Sequence, residues 1–211
     1  MHLTFSVVAR DPRKRALGVA VATGVPAVGS VVPHVQLDVG AIATQAYTDP
    51  RYGTEGLELL KKGIPPQKVL EIMLKKDESR EKRQVIIIDA QGRTAAFTGN
   101  ETEEWKGHHV GKDYVVAGNT LSSTQVIEAM SHAFEKHTGS LAERLLKALE
   151  AGQEAGGDKR GHMSAALKVA DETWISSFRP VLDLRVDAHM EPVKELRRVY
   201  AVSARYFHVS E

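Results

Sequence analysis

Apolar and polar positions alternate over the first two dozen residues in a way that predicts a β-hairpin. Two β-branched, apolar runs, residues 1–9 and 16–23, flank Arg10-Asp11-Pro12-Arg13-Lys14-Arg15, a segment with the length and turn chemistry of a hairpin connection. Side chains alternate along a strand, so Thr4 and Ser6 share one face and Leu3, Phe5 and Val7 take the other. Two hydroxyls on one face near the start of the chain suggest nucleophilic chemistry. The alternative is a pair of solvent-facing polar residues on a half-exposed strand.

Further along, Thr23 to Ser30 is a small-residue loop, Val31 to Asp38 a strand-like run and Gly40 to Ala46 another strand, ended by the turn Tyr47 to Gly53. A helix is predicted from Thr54, or the residues just after it, through Lys62 with Gly63 closing it, and a second from roughly Pro66 to Lys76. Then the period changes. Gln84 to Asp89 reads as a buried strand, Ala90-Gln91-Gly92-Arg93 as a tight turn, and Thr94 to Thr98 as the partner strand. Trp105 to Val110 and Asp113 to Ala117 predict another pair. Helices follow over Thr124 to Lys136, capped by Ser122 or Ser123, and Ser140 to Ala151, which Gly152 helps to end. Ser164 to Ala170 and Val181 to Val186 return to strand, and Pro192 to Arg198 is the last helix. This order predicts an α/β domain of two packed sheets with helices outside, a four-layer α/β/β/α arrangement.

The length, 211 residues, suits one domain spanning 1–211, because single cores grow to about 250 residues. A formal charge of +1, from 28 Lys plus Arg against 27 Asp plus Glu, gives no global field for nucleic acid or an acidic membrane. With no cysteine, thiol nucleophiles, disulfides and thiolate metal sites are excluded, so a hydroxyl must carry any covalent catalysis. The opening residues lack a signal-peptide pattern and no run of about 18 apolar residues occurs, so a cytoplasmic location is expected. The small-residue loop at Thr23 to Ser30 lacks the Gly-x-x-x-x-Gly-Lys arrangement of a phosphate loop. His108 and His109 are adjacent in a strand, face opposite sides and have no helical partner histidine, so neither a metal nor another cofactor is expected.

Candidate chemistry gathers around the first strand. A serine or threonine needs a base, and an α-amine with a pKa near ~8 is one base a chain can supply. His34, in the segment after the hairpin, is a second base for Thr4 or Ser6, or a hydrogen-bonded strand histidine. Gln45, at a strand end before Tyr47-Thr48-Asp49-Pro50, and Asn119, after Gly118, are amides suited to donate to an oxyanion; turn fixing and helix capping are the alternatives. Asp158 and Arg160 sit in the glycine-bracketed loop Gly156 to Gly161, able to orient a nucleophile, grip a carboxylate or pair with each other. Ser164 would extend a hydroxyl network. The amphipathic helix at Pro192 to Arg198 reads as a surface or subunit contact, and a homo-oligomer is expected.

The hydroxyl-bearing hairpin, Gly18-Val19-Ala20-Val21-Ala22-Thr23 and Ala43-Thr44-Gln45-Ala46-Tyr47 resemble the N-terminal-nucleophile (Ntn) hydrolases, the plan shared by proteasome subunits. More closely, the whole chain resembles domain-of-unknown-function family 1028, which is placed in that superfamily. The matching blocks are Thr4 to Asp11, Thr44 to Tyr47, Tyr52 to Leu57, Asp89 to Arg93, Gly118-Asn119, Gly156 to Gly161 and Asp183 to Asp187. The resemblance implies hydrolysis of a C–N amide bond in a small molecule or short peptide, with Thr4 as nucleophile and its own amine as base; Ser6 is the substitute. Gln45, Asn119 and Asp158 would stand around it, with His34, Tyr47, Arg160 and Ser164 on the substrate. Two departures are visible: Met1-His2-Leu3 precede Thr4, so its amine is free only after a further cut, and the segment after the hairpin offers His34 and Gln36 but no lysine. A catalytically inactive ligand-binding or oligomeric scaffold of the same fold is the second expectation.

Overall fold

The computed structural model describes residues 4–157, 161–171 and 182–207. The predicted hairpin forms from β1 (Thr4–Asp11) and β2 (Ala16–Thr23), with the Asp11 carboxylate accepting the Arg13 N–H at 2.9 Å inside the turn. Then come β3 (Pro33–Gln36), β4 (Gly40–Ala46), α1 (Arg51–Lys61), α2 (Pro66–Lys76), β5 (Arg83–Asp89) and β6 (Thr94–Thr98). The remainder is β7 (Gly107–Gly111), β8 (Tyr114–Asn119), α3 (Gln125–Lys136), α4 (Leu141–Glu154), β9 (Ser164–Ala170), β10 (Leu182–Val186) and α5 (Pro192–Phe207). The result is a mixed α/β fold with two antiparallel sheets and, among the described residues, five α-helices.

The six-stranded sheet has the order β10-β9-β2-β1-β8-β7 and the four-stranded sheet β3-β4-β5-β6. The hairpin therefore occupies the middle of the larger sheet, not an edge. Its two faces bury different things. Phe5, Val7 and Ala9 pack with Met130 and Phe134 of α3, Leu145 and Leu149 of α4 and Leu196 of α5. Val8, Val19 and Val21 meet Ala41, Ala43, Ile86 and Ile88 of the smaller sheet. The far side of that sheet, Ile42, Val85 and Ile87, packs on Tyr52, Leu57 and Leu60 of α1 and Val69, Leu70 and Met73 of α2. Full burial of one side chain such as Phe5 contributes about 2 kcal/mol, so these three clusters dominate the stability.

Thr4 and Ser6 do share a face, but it is not turned to solvent: they are 2% and 0% exposed and look into the space between the sheets. Several element ends differ from expectation. The first helix starts at Arg51, not Thr54, because the Asp49 carboxylate accepts the Arg51 N–H at 3.0 Å and organises the first turn. Neither Ser122 nor Ser123 caps α3, whose N-cap position is Thr124 with no side-chain bond; Ser122 Oγ turns to Ala155 O instead. Ser140 does cap α4, accepting the Glu143 N–H at 3.2 Å. Gly152 does not end α4. It is buried inside that helix, where a β-carbon would come within 3.2 Å of the Phe5 ring and 2.7 Å of Met130 Cγ, and the reversal falls to Gly156 at φ 109°. The strand expected from Val31 shortens to Pro33–Gln36, and the last helix runs past Arg198 to Phe207.

Candidate functional site

Strand register lines up polar side chains at one end of the space between the sheets. Thr4 pairs with Thr23 on one side and Asn119 on the other, and Thr23 pairs with Ser164, so four hydroxyl or amide residues stand side by side across β9, β2, β1 and β8. All four are buried: Thr4 2%, Thr23 0%, Ser164 0% and Asn119 2% exposed. Opposite them, Gln45, Gln84 and Thr98 are register partners across β4, β5 and β6. Each set lies on the inter-sheet face because its residues have the same parity as Val8, Val21, Ala43 and Ile86.

Burial obliges these groups to find partners, and they find one another. Ser6 Oγ donates to Gln45 Oε1 at 2.6 Å, and Gln45 Nε2 donates to Gln84 Oε1 at 2.7 Å and toward Thr4 O at 3.5 Å. Asn119 Nδ2 donates to the same Gln84 Oε1 at 3.1 Å. Gln84 Nε2 shares its protons among Thr98 Oγ1 at 2.9 Å, Gly118 O at 2.9 Å and Gly107 O at 3.0 Å. Thr98 Oγ1 in turn bonds His108 Nδ1 at 2.9 Å. The two amides expected as oxyanion donors thus each commit an N–H to Gln84, a residue the sequence reading passed over. The signal is present: Gln84 alternates with Ile86 and Ile88, the polar residue on that face of the strand.

Thr4 reaches beyond this network. Its side chain lines a cavity of about 220 Å³ with Val25, Pro26, Val28, Val31, Val32, Tyr47, Thr48 and Pro50, and its hydroxyl lies 3.4 Å from Thr23 Oγ1. Ser6 does not line this cavity. Ser164 shapes the wall, its Oγ donating to Val25 O at 2.6 Å and accepting the Val28 N–H at 3.1 Å. At this end Ala27, Ala46 and Thr120 adopt φ of 58°, 70° and 50°, a left-handed region that costs an L-residue about 1 kcal/mol and that Arg15, Asp38 and Asp113 also adopt in the turns between strands. Asn119, Thr120, Ala46 and Tyr47 border a neighbouring crevice of about 10 Å³.

Tyr47, 52% exposed, forms the mouth of the larger cavity, and a buried ion cluster holds it. The Arg83 guanidinium donates to Tyr47 O, its carbon lies 4.8 Å from the Tyr47 ring centroid, and it binds Asp77 at 2.7 Å with Asp49 3.8 Å away. Tyr52 also donates to Asp77, at 3.0 Å. Arg83 holds the Asp77 carboxyl below the usual carboxylate range, and Arg51 does the same for Asp49. Burial, with the Asp77 bond, raises the Tyr52 phenol far above its ordinary value.

His34 stands apart. It pairs with Ile42 on the helix-facing side of its sheet, its ring fills the space where a Gly53 β-carbon would sit 2.1 Å away, and Nε2 meets Val31 O at 3.2 Å. The expectation that it polarises Thr4 or Ser6 is therefore not met, since the opposite face of β4 carries Gln45. Burial pushes its imidazole below the ordinary value. Asp158 and Arg160 lie outside the described residues. His108 and His109 do face apart, toward Thr98 and toward the Tyr114 ring, respectively. Among the described residues, no group of three or more His, Asp or Glu is placed to hold a metal, and no helix is long and apolar enough to cross a membrane.

No curated protein matches the chain. The crystal structure of protein SPO2555 from Silicibacter pomeroyi, assigned to DUF1028, is similar to it at 34% identity with a TM-score of 0.88, covering 96% of this chain and 89% of that one. The model of the Family of unknown function (DUF1028) matches residues 4–196, so the polar rows, the Gln84 hub and the Thr4 cavity all lie within the matched span. The chain belongs to the DUF1028 family.

Proposed function

We propose that this protein hydrolyses a C–N amide bond of a small molecule or short peptide, with Thr4 as nucleophile, on a four-layer α/β/β/α sandwich of the Ntn-hydrolase type. The observation that carries this reading is the Thr4 side chain itself, a hydroxyl at the head of a central strand that is the one member of the Ser164, Thr23, Thr4, Asn119 row lining the 220 Å³ cavity. The three hydrophobic clusters, on both faces of each sheet, support the layered arrangement.

In this mechanism Thr4 Oγ attacks the amide carbonyl and passes its proton to the Thr4 α-amine, which is free once the Leu3–Thr4 bond has been cut. The oxyanion needs a donor. Asn119, the register partner of Thr4, carries two protons on Nδ2 and spends one on Gln84, leaving the second to serve as that donor. Collapse of the tetrahedral intermediate breaks the C–N bond, the ammonium returns its proton to the leaving nitrogen, and water then hydrolyses the Thr4 ester to release the acid and restore the hydroxyl. Gln45 holds the Thr4 carbonyl in place; Ser6, with its hydroxyl committed to Gln45, serves the stability of the core and not the chemistry.

A second reading, a ligand-binding protein without turnover, draws on the convergence of Gln45 and Asn119 upon Gln84 Oε1 rather than upon the cavity. Intact mass and amino-terminal sequencing of the protein isolated from its cells, followed by an amide panel on wild type and Thr4→Ala, separate the two. A chain beginning at Thr4 whose turnover vanishes in Thr4→Ala is expected. Turnover unchanged in that variant rejects Thr4 as nucleophile, and a ligand bound but never consumed leaves the binding reading.

A further inference from the structure

We propose that the Thr4 cavity selects its ligand by an uncharged, apolar group of about phenyl or branched four-carbon size, the acyl part of the amide. This rests on the proposed hydrolase reading for the word acyl, and on the cavity alone for size and polarity. Every described residue that lines the cavity is uncharged. Val28 and Val32, 3% and 1% exposed, are packed into the core as well as into the wall, so the inner lining is fixed hydrocarbon, not mobile side chain. A dry apolar cavity of roughly 150 Å³ accepts benzene; about 220 Å³ here admits a ring or a branched chain plus the carbonyl attached to it.

Charge is disfavoured at this site for a specific reason. The cation in contact with Tyr47, Arg83, has its guanidinium on Asp77 and on the Tyr47 carbonyl, and its side chain is 6% exposed; Arg51, beside Pro50, is spent on Asp49. A carboxylate placed in the cavity would lose water without gaining that partner. With Leu3 attached, the polar groups at hand are the Thr4 hydroxyl and, at the rim, Thr48 and Tyr47, enough to orient one amide and too few to solvate a charge; once the bond is cut, the Thr4 amine acts as base in its neutral form. The left-handed Ala27 and Ala46 bend the chain so that Pro26, Val28 and Tyr47 close around the space.

The test uses full-length protein with labelled Val and Thr methyl groups, titrated with benzamide, isovaleramide and the anionic succinamate, in wild type and in Thr4→Ala. Benzamide and isovaleramide are expected to shift the methyls of Val28, Val31 and Val32 in both proteins, with succinamate at least tenfold weaker. Val32→Phe, which fills the cavity, should remove the response; the wild-type titration decides the matter even if that variant does not fold. Equal binding of succinamate, or no shift at these valines, overturns the proposal. Binding of the neutral amides to a chain that begins at Thr4, without their hydrolysis, removes the hydrolase reading and leaves the selectivity standing, whereas hydrolysis of succinamate in preference to them by that chain removes the selectivity alone.

Discussion

Gln45 and Gln84, register partners on β4 and β5, are joined by an amide-to-amide hydrogen bond of 2.7 Å, and Gln84 Oε1 also takes the Asn119 N–H from the other sheet. This oxygen ties the two sheets together at the end where Thr4 stands. Gln84→Leu removes it and leaves two buried N–H donors without an acceptor. Each such orphan costs roughly 1–3 kcal/mol. Urea unfolding should therefore show a loss of about 3 kcal/mol; a change below about 0.5 kcal/mol would contradict the linkage.

Thr4 and Ser6 should separate cleanly by function. Thr4→Ala is expected to abolish amide turnover while changing stability by less than about 1 kcal/mol, because its hydroxyl makes one long contact, 3.4 Å, to Thr23. Ser6→Ala removes a 2.6 Å bond inside the core and should cost about 1–2 kcal/mol, with turnover retained. Parallel activity and denaturant measurements on both variants check this.

Arg83 should matter most at neutral pH. Its partner Asp77 has a lowered pKa in the folded protein, so the pair's contribution is present above the unfolded carboxylate value near ~3.9 and is lost as pH falls through the folded value. Arg83→Met leaves Asp77, with a side chain 10% exposed, without its main cation, a change worth about 3–5 kcal/mol in comparable buried pairs. The deficit measured by thermal or urea unfolding at pH 7 should shrink on acidification below about pH 4. In the same variant Tyr47 loses both its carbonyl donor and the cation behind its ring, so ligand binding at the cavity mouth should weaken.

His34 predicts a slope in the opposite pH region. Burial keeps it neutral in the fold, so the unfolded chain binds the extra proton first. Stability from this site is complete above the unfolded value near ~6.5 and declines as pH drops from there toward the lower folded value. His34→Gln keeps a donor for Val31 O and does not titrate; unfolding curves from pH 7 to pH 5 should be flatter for the variant than for the wild type.

Much of this architecture can be read from local pattern. Pro66 to Lys76 and Thr94 to Thr98 have the predicted limits because proline opens the one and a tight glycine turn bounds the other. Alternation alone puts Thr4 and Ser6 on a common face. What alternation lacks is the identity of the layer on that face, so a solvent-exposed strand and a second sheet are indistinguishable until the register of distant strands is known. Gln84 is illegible for that reason: it gains meaning from Gln45, 39 residues away. Gly152 misled because a glycine near a helix end resembles a terminator, while here it admits Phe5 and Met130. Arg83, Asp77 and Asp49 look like surface charges in the chain, and only the meeting of α1, α2 and β5 buries them together.

The side-by-side placement of Ser164, Thr23, Thr4 and Asn119 has a consequence for how the sheet assembles. The strands concerned are rich in alanine and valine, shapes that slide past one another at little penalty. Displacing β1 by one position would rotate Phe5 toward Gln45 and drive the Thr4 and Ser6 hydroxyls into the hydrocarbon beneath α3 and α4, with no partner for either. The alcohol proposed to do chemistry is thus also an alignment mark, and misregistered chains are penalised by the very group that the correct alignment delivers to the cavity.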